Sequence, residues 1–69
     1  MKFFINGKTQ TIIFLEKKPS IESLITKLKL NSKLIVIELN GVILNQQKWA
    51  HQLVKDEDKL EIVTIVGGG

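Results

Sequence analysis

Glu61-Ile-Val-Thr-Ile-Val-Gly-Gly-Gly69 carries the reading on which the rest of the chain depends. Its first residues are β-branched and apolar and read as a strand, and they pass straight into three glycines. Glycine has the most backbone entropy to lose and no side chain to pack, so a triple glycine adds nothing to a core. It is expected instead to be a thin tether presenting a free terminal carboxylate. Three extended residues span roughly 10 Å, and with no Cβ they admit close walls on every side. Such an end suits insertion into a partner's active site. A terminus that merely frays is the other reading.

If this run is a strand, the elements ahead of it have a sheet edge to close on. Lys2 to Asn6 reads as a first strand, and Asn6-Gly7 between two β-rich runs is a strong hairpin signal, because both residues tolerate positive φ. Thr9 to Leu15 reads as the return strand, stopped by the charged turn Glu16-Lys17-Lys18-Pro19. Ser20 then fits a helix N-cap, with Glu22 in the first turn where the helix dipole favours it. Ile21, Leu24, Ile25 and Leu28 fall on one helical face. Lys27 and Lys29 are placed late in that helix, and Asn31-Ser32 ends it. Leu34 to Asn40 is a short apolar run that reads as a central strand. Asn40-Gly41 repeats the turn signal, and Val42 to Leu44 leaves as a short strand. Asn45 to Trp49 reads as a loop or a turn of 3₁₀ helix, Leu53-Val54 as a packed pair, and Lys59 to Val66 as the final strand.

The order is hairpin, helix, then further strands. A helix covering one face of a mixed sheet is the economical closure for such a chain, with the first and last strands paired centrally. The expectation is therefore an α+β, β-grasp (ubiquitin-like) domain over residues 1–66, with four to five strands, one main helix and a tail at residues 67–69.

Composition limits what the domain can do. Sixty-nine residues allow one domain, and a chain of this size buries only about 60% of its unfolded surface. The apolar fraction of 43%, mostly Ile, Leu and Val, can supply one core. Without cysteine there is no disulfide, thiolate metal site or cysteine nucleophile. Lys2-Phe3-Phe4-Ile5 is too short for the apolar part of a signal peptide, and nothing approaches a membrane span, so an intracellular, non-membrane protein is expected. The net charge of +3 comes from ten basic residues, all lysine, against seven acids. The lysines are scattered, arginine is missing and no aromatic stacking pattern accompanies them, which argues against nucleic acid as a partner.

No catalytic constellation stands out. His51 has no cysteine or second histidine to work with and reads as a surface residue. Asp56-Glu57-Asp58 lacks the spacing of a calcium loop and reads as a solvated turn. Trp49 could anchor a partner, but in so short a chain it reads first as a plug for the core. By elimination the chemistry falls on the tail.

Several of these residues also carry a family likeness. Phe4-Ile5-Asn6-Gly7, Leu39-Asn40-Gly41, Trp49-Ala50, Asp56-x-Asp58 and the ending Glu61 to Gly69 together resemble the ThiS family, small sulfur carriers of bacterial and plastid thiamin biosynthesis. The likeness runs the full length. It departs at Asn45-Gln46, where many relatives have Pro-Arg, and at Glu57, where many have glycine.

The resemblance implies a cycle on the Gly69 carboxylate. A ThiF-like adenylating enzyme would activate it with MgATP, and a sulfur donor such as a cysteine desulfurase would supply the persulfide that makes a thiocarboxylate. Thiazole synthase would then receive the sulfur. The carrier itself would bind no cofactor and catalyse nothing. Gly68 and Gly69 would occupy the partner's narrow channel, and Gly67 would add freedom. Alternation along the last strand puts Glu61, Val63 and Ile65 on one side. If Glu61 faces solvent, Val63 and Ile65 form an exposed apolar pair beside the tail, the expected docking point for both partners. The alternatives are the small subunit of molybdopterin synthase, a protein-conjugating ubiquitin-like modifier, and a β-grasp binding module with incidental glycines. The implied compartment is the cytoplasm, or a plastid stroma.

Overall fold

Asn6 and Gly7 both take positive φ, +51° and +79°, and turn β1 (Lys2–Ile5) back into β2 (Lys8–Thr11). Phe3 pairs with Gln10 and Phe4 with Thr9. These elements come from a computed structural model that describes residues 1–65; Val66 at the end of the expected last strand, and Gly67, Gly68 and Gly69 of the tail, lie outside the described residues.

The return strand is shorter than its sequence suggests. Its rungs stop at Ile12, whose N–H and C=O both bond to Met1. Beyond that point no strand among the described residues runs alongside, and a β-branched sequence without a partner has no ladder to join. Ile13 and Leu15 are consequently 77% and 95% exposed, while Phe14 turns inward and meets the Phe3 ring edge-on at 6.1 Å.

Helix α1 (Ile21–Lys27) starts where expected. The Ser20 hydroxyl accepts from the Ser23 N–H, and the Ser23 hydroxyl accepts from the Ser20 N–H, a reciprocal capping box. Its end comes earlier than expected: Leu28 is the C-cap, and Lys29 lies past the helix at φ +58°. The Lys29 N–H bonds to the Thr26 carbonyl and the Leu30 N–H to the Ile25 carbonyl, the paired bonds of a Schellman motif. Asn31 does not end the helix but caps a 3₁₀ turn, Ser32–Leu34.

Strand β3 (Ile35–Leu39) follows, then Asn40-Gly41 at φ +49° and +88°, then β4 (Val42–Leu44). Gln46–Lys48 form a second 3₁₀ turn capped by the Asn45 side chain, settling that segment as helical rather than open loop. β5 (Lys59–Thr64) closes the sheet. The strand order is β2-β1-β5-β3-β4, with β1 and β5 parallel and the other pairs antiparallel. The last strand thus lies at the centre, as the β-grasp expectation requires.

One face of the sheet is covered. Phe3 and Ile5 from β1, Ile35, Ile37 and Leu39 from β3, and Leu60 from β5 meet Ile21, Leu24 and Ile25 of the helix. Each fully buried side chain of this kind contributes about 1.5–3 kcal/mol. Trp49, 3% exposed, closes the end of this core and donates its indole N–H to the Leu44 carbonyl at 3.3 Å. Val54 is buried there too, whereas Leu53 is partly exposed. Among the described residues no helix is long and apolar enough to cross a membrane.

Candidate functional site

Among the described residues no helix covers the opposite face of the sheet, and β5 displays its alternation there. Leu60 is buried and Ile62 half-buried on the core side, while Glu61 and Val63 point away from the core. Val63 is 60% exposed, and Ile65, just past the strand, is 49% exposed. The condition placed on Glu61 is therefore met, and Val63 and Ile65 form an accessible apolar pair.

That pair belongs to a wider strip. Residues directly opposite in neighbouring strands share a face. Val36 lies opposite Val63, Glu38 opposite Glu61, and Ile43 opposite Glu38. Val36 and Ile43 therefore join Val63 on the uncovered face, and both are exposed. Toward β1 the apolar surface ends at Phe4, whose ring has the Lys2 ammonium 5.4 Å from its centroid. The strip thus runs across β4, β3 and β5 beside the root of the tail. The period-two pattern of Leu34 to Asn40 could have singled out Val36 from sequence. Ile43 could not be placed without the β3–β4 register.

Glu38 and Glu61 face each other inside this strip. Like charges directly opposite in a sheet are destabilising, so folding alone gives no reason for the pair. Asn45 caps the second 3₁₀ turn and Gln46 is its first residue. Glu57 takes φ +69°, a left-handed conformation that glycine adopts without strain.

Asp56 and Glu57 form the exposed turn expected of the acidic segment, but Asp58 does not share it. Asp58 is only 7% exposed; its carboxylate accepts from the Lys55 N–H at 2.7 Å and the Asn40 side-chain amide at 3.1 Å. Asp56 accepts from the Lys2 N–H at 2.6 Å. These hydrogen bonds brace the entry to β5. Among the described residues no group of three or more His, Cys, Asp or Glu side chains is placed to hold a metal ion. His51 is exposed. Glu16, at the other end of the molecule before the helix, has its carboxyl pKa lowered by hydrogen bonds from its own backbone N–H and from Ser23, with Lys27 adding to them. The groove beside β5, lined by Ile5, Asn6, Gln10, Leu28, Leu30, Ile62 and Thr64, holds about 240 Å³, below the usual range for small-molecule sites.

A five-stranded mixed sheet with its last strand at the centre and one helix packed against one face defines a ubiquitin-like β-grasp protein. Comparison with known proteins narrows the class. The ThiS family model matches residues 3–69. The chain is 41% identical to the uncharacterized protein ycf40 of Trieres chinensis, over 97% of this chain and 88% of that one. It is 29% identical to the sulfur carrier protein ThiS of Bacillus subtilis, over 94% of this chain and 96% of that one. It is also 35% identical to a part of the thiazole synthase of Paramagnetospirillum magneticum, an alignment spanning 100% of this chain and 20% of that protein. Among solved structures it superposes on the thiamine biosynthesis protein ThiS of Geobacter metallireducens with a TM-score of 0.82, at 30% identity and over 100% of both chains. The chain belongs to the ThiS family of small sulfur carriers.

Proposed function

We propose that this chain carries sulfur on the carboxylate of Gly69 for thiazole formation in thiamin biosynthesis. The observation that carries the reading is the strip of Val36, Ile43, Val63 and Ile65 on the uncovered face, whose last member stands two residues before Gly67 in the sequence. A carboxylate at neutral pH is a poor electrophile. A ThiF-like adenylating enzyme, docked on that strip, joins the Gly69 carboxylate to AMP from MgATP and releases pyrophosphate. A persulfide sulfur, drawn from cysteine by a desulfurase, displaces AMP, and a second thiol then frees the thiocarboxylate with formation of a disulfide. Thiazole synthase receives the sulfur.

All the reactive machinery in this scheme belongs to partners. The chain supplies reach and slenderness: from Ile65 to Gly69 an extended backbone spans roughly 13–14 Å at about 3.3–3.6 Å per residue. Gly68 and Gly69 occupy the channel where a Cβ would clash, and Gly67 gives the segment freedom to enter it. The similarity to a part of a thiazole synthase supports that enzyme as the acceptor, since a carrier-like segment within the acceptor chain is held at high effective concentration. The compartment is the one that holds both partners, a bacterial cytoplasm or a plastid stroma.

The reading is tested by ATP–pyrophosphate exchange with a ThiF-like enzyme. The intact chain should support exchange, and deletion of Gly68-Gly69 should abolish it while circular dichroism stays unchanged. Equal exchange with and without the two glycines would remove the carrier assignment and favour a binding module.

A further inference from the structure

At Asn6 the main chain of β1 turns away from β5. Up to that point β5 is held from the β1 side by main-chain bonds. The Phe4 N–H donates to the Asp58 carbonyl at 3.0 Å, and the Asn6 N–H to the Leu60 carbonyl at 2.9 Å. The next rung would need a strand residue that the turn has removed. The Asn6 carboxamide supplies it. Its Oδ1 accepts from the Ile62 N–H at 2.7 Å, and its Nδ2 donates to the Ile62 carbonyl at 3.0 Å. A primary amide carries the donor and acceptor of a peptide unit, so this side chain lengthens the parallel ladder by one rung while its own backbone makes the hairpin.

Beyond Ile62, β3 is the strand that pairs with β5, and the last described rung runs from the Ile65 N–H to the Leu34 carbonyl at 2.6 Å. Val63 and Ile65 therefore sit on a strand end whose last anchor from the β1 side is Asn6. Resting on the carrier reading above, we infer that Asn6 is a positioning residue for the tail: its carboxamide anchors β5 from the β1 side as far as Ile62, so that the docking strip is held in place for the partner that takes Gly69. Without it, the end of β5 is held from the β3 side alone, and the association bears the entropy of ordering the loosened end.

Asn40 is a built-in control. It too precedes a glycine at positive φ, +49°. Its Oδ1 accepts from the Lys59 N–H at 3.0 Å and its Nδ2 donates to Asp58 at 3.1 Å, so it holds the opposite end of the same strand. Asn6→Gly and Asn40→Gly each keep a residue that accepts positive φ and delete one carboxamide.

In the full chain, amide exchange by NMR should quicken at Val63 and Ile65, whose N–H groups face β3, in Asn6→Gly and not in Asn40→Gly. With a ThiF-like enzyme, KM for Asn6→Gly should rise about tenfold, the equivalent of one to two lost hydrogen bonds, while kcat changes less than about twofold, because a loss confined to docking leaves the chemical step alone. Asn40→Gly should leave KM near wild type even if its thermal stability falls as far. Equal KM increases in both variants, or unchanged exchange at Val63 and Ile65 in Asn6→Gly, would overturn the inference. A wild-type chain that is not activated at all would remove the carrier reading, and the exchange measurement would still decide whether Asn6 tethers the strand end.

Discussion

Replacing Val63 and Ile65 together by aspartate tests the docking strip. Full burial of a Val or Ile side chain contributes about 1.5–3 kcal/mol. Val63 is 60% exposed and Ile65 49%, so covering what remains open at both is worth about 2–3 kcal/mol in all. Losing that contribution should weaken binding to a ThiF-like enzyme about 30- to 150-fold. Leaving two carboxylates to be desolvated would add to the loss. The folded state should suffer much less, because neither side chain fills the core; the main penalty is strand propensity, whose whole scale spans about 1 kcal/mol. Threonine at both positions provides the matching control, since it keeps the β-branched shape and removes apolar surface without adding charge. Isothermal titration should rank the affinities wild type, threonine pair, aspartate pair. Unchanged affinity in the aspartate pair, with the fold intact by circular dichroism, would refute the assignment of this face.

Two further outcomes follow from local geometry. Glu61→Lys converts the like-charge pair with Glu38 into an opposite-charge pair and should stabilise the fold by about 0.5–1 kcal/mol, raising Tm by roughly 2–8 °C in a domain of this size; an unchanged or lower Tm would contradict the pairing. Lys29→Gly and Glu57→Gly relieve left-handed backbone at φ +58° and +69°. Relief of about 1–2 kcal/mol, set against about 0.4–1 kcal/mol of added unfolded-state entropy, should leave each variant more stable by about 0.5–1 kcal/mol in urea unfolding. Lys27→Gly, inside the helix, should instead lose about 1 kcal/mol.

What the sequence disclosed was local and periodic. The helix face of Ile21, Leu24 and Ile25, the Ser20 cap, both Asn-Gly turns and the alternation of Leu60 to Val63 follow from spacings of a few residues, and the structure places them as expected. The misreadings share a different cause. Thr9 to Leu15 has strand composition throughout, yet its ladder ends at Ile12 because a strand extends only as far as its neighbour. Lys29 looks helical because the C′ position usually announces itself by glycine, and here a lysine takes that conformation. Asp58 looks solvated until Asn40 and Lys55 are folded against it. The Asn6 amide could not be assigned beyond its turn, since its partner Ile62 lies 56 residues away in sequence. The exposed pair Val63 and Ile65 was within reach of alternation alone, whereas Val36 and Ile43 needed the register of β3 with its neighbours.

The central claim is that Gly69 becomes a thiocarboxylate, and intact mass reads this directly. After incubation with a ThiF-like enzyme, MgATP and a persulfide donor, the chain should gain about 16 Da, the replacement of one oxygen by sulfur at an activated carbonyl. Fragmentation should place the gain on Gly69, and the shift should vanish when ATP is withheld. An unchanged mass with a cognate enzyme that does activate another carrier would contradict the account.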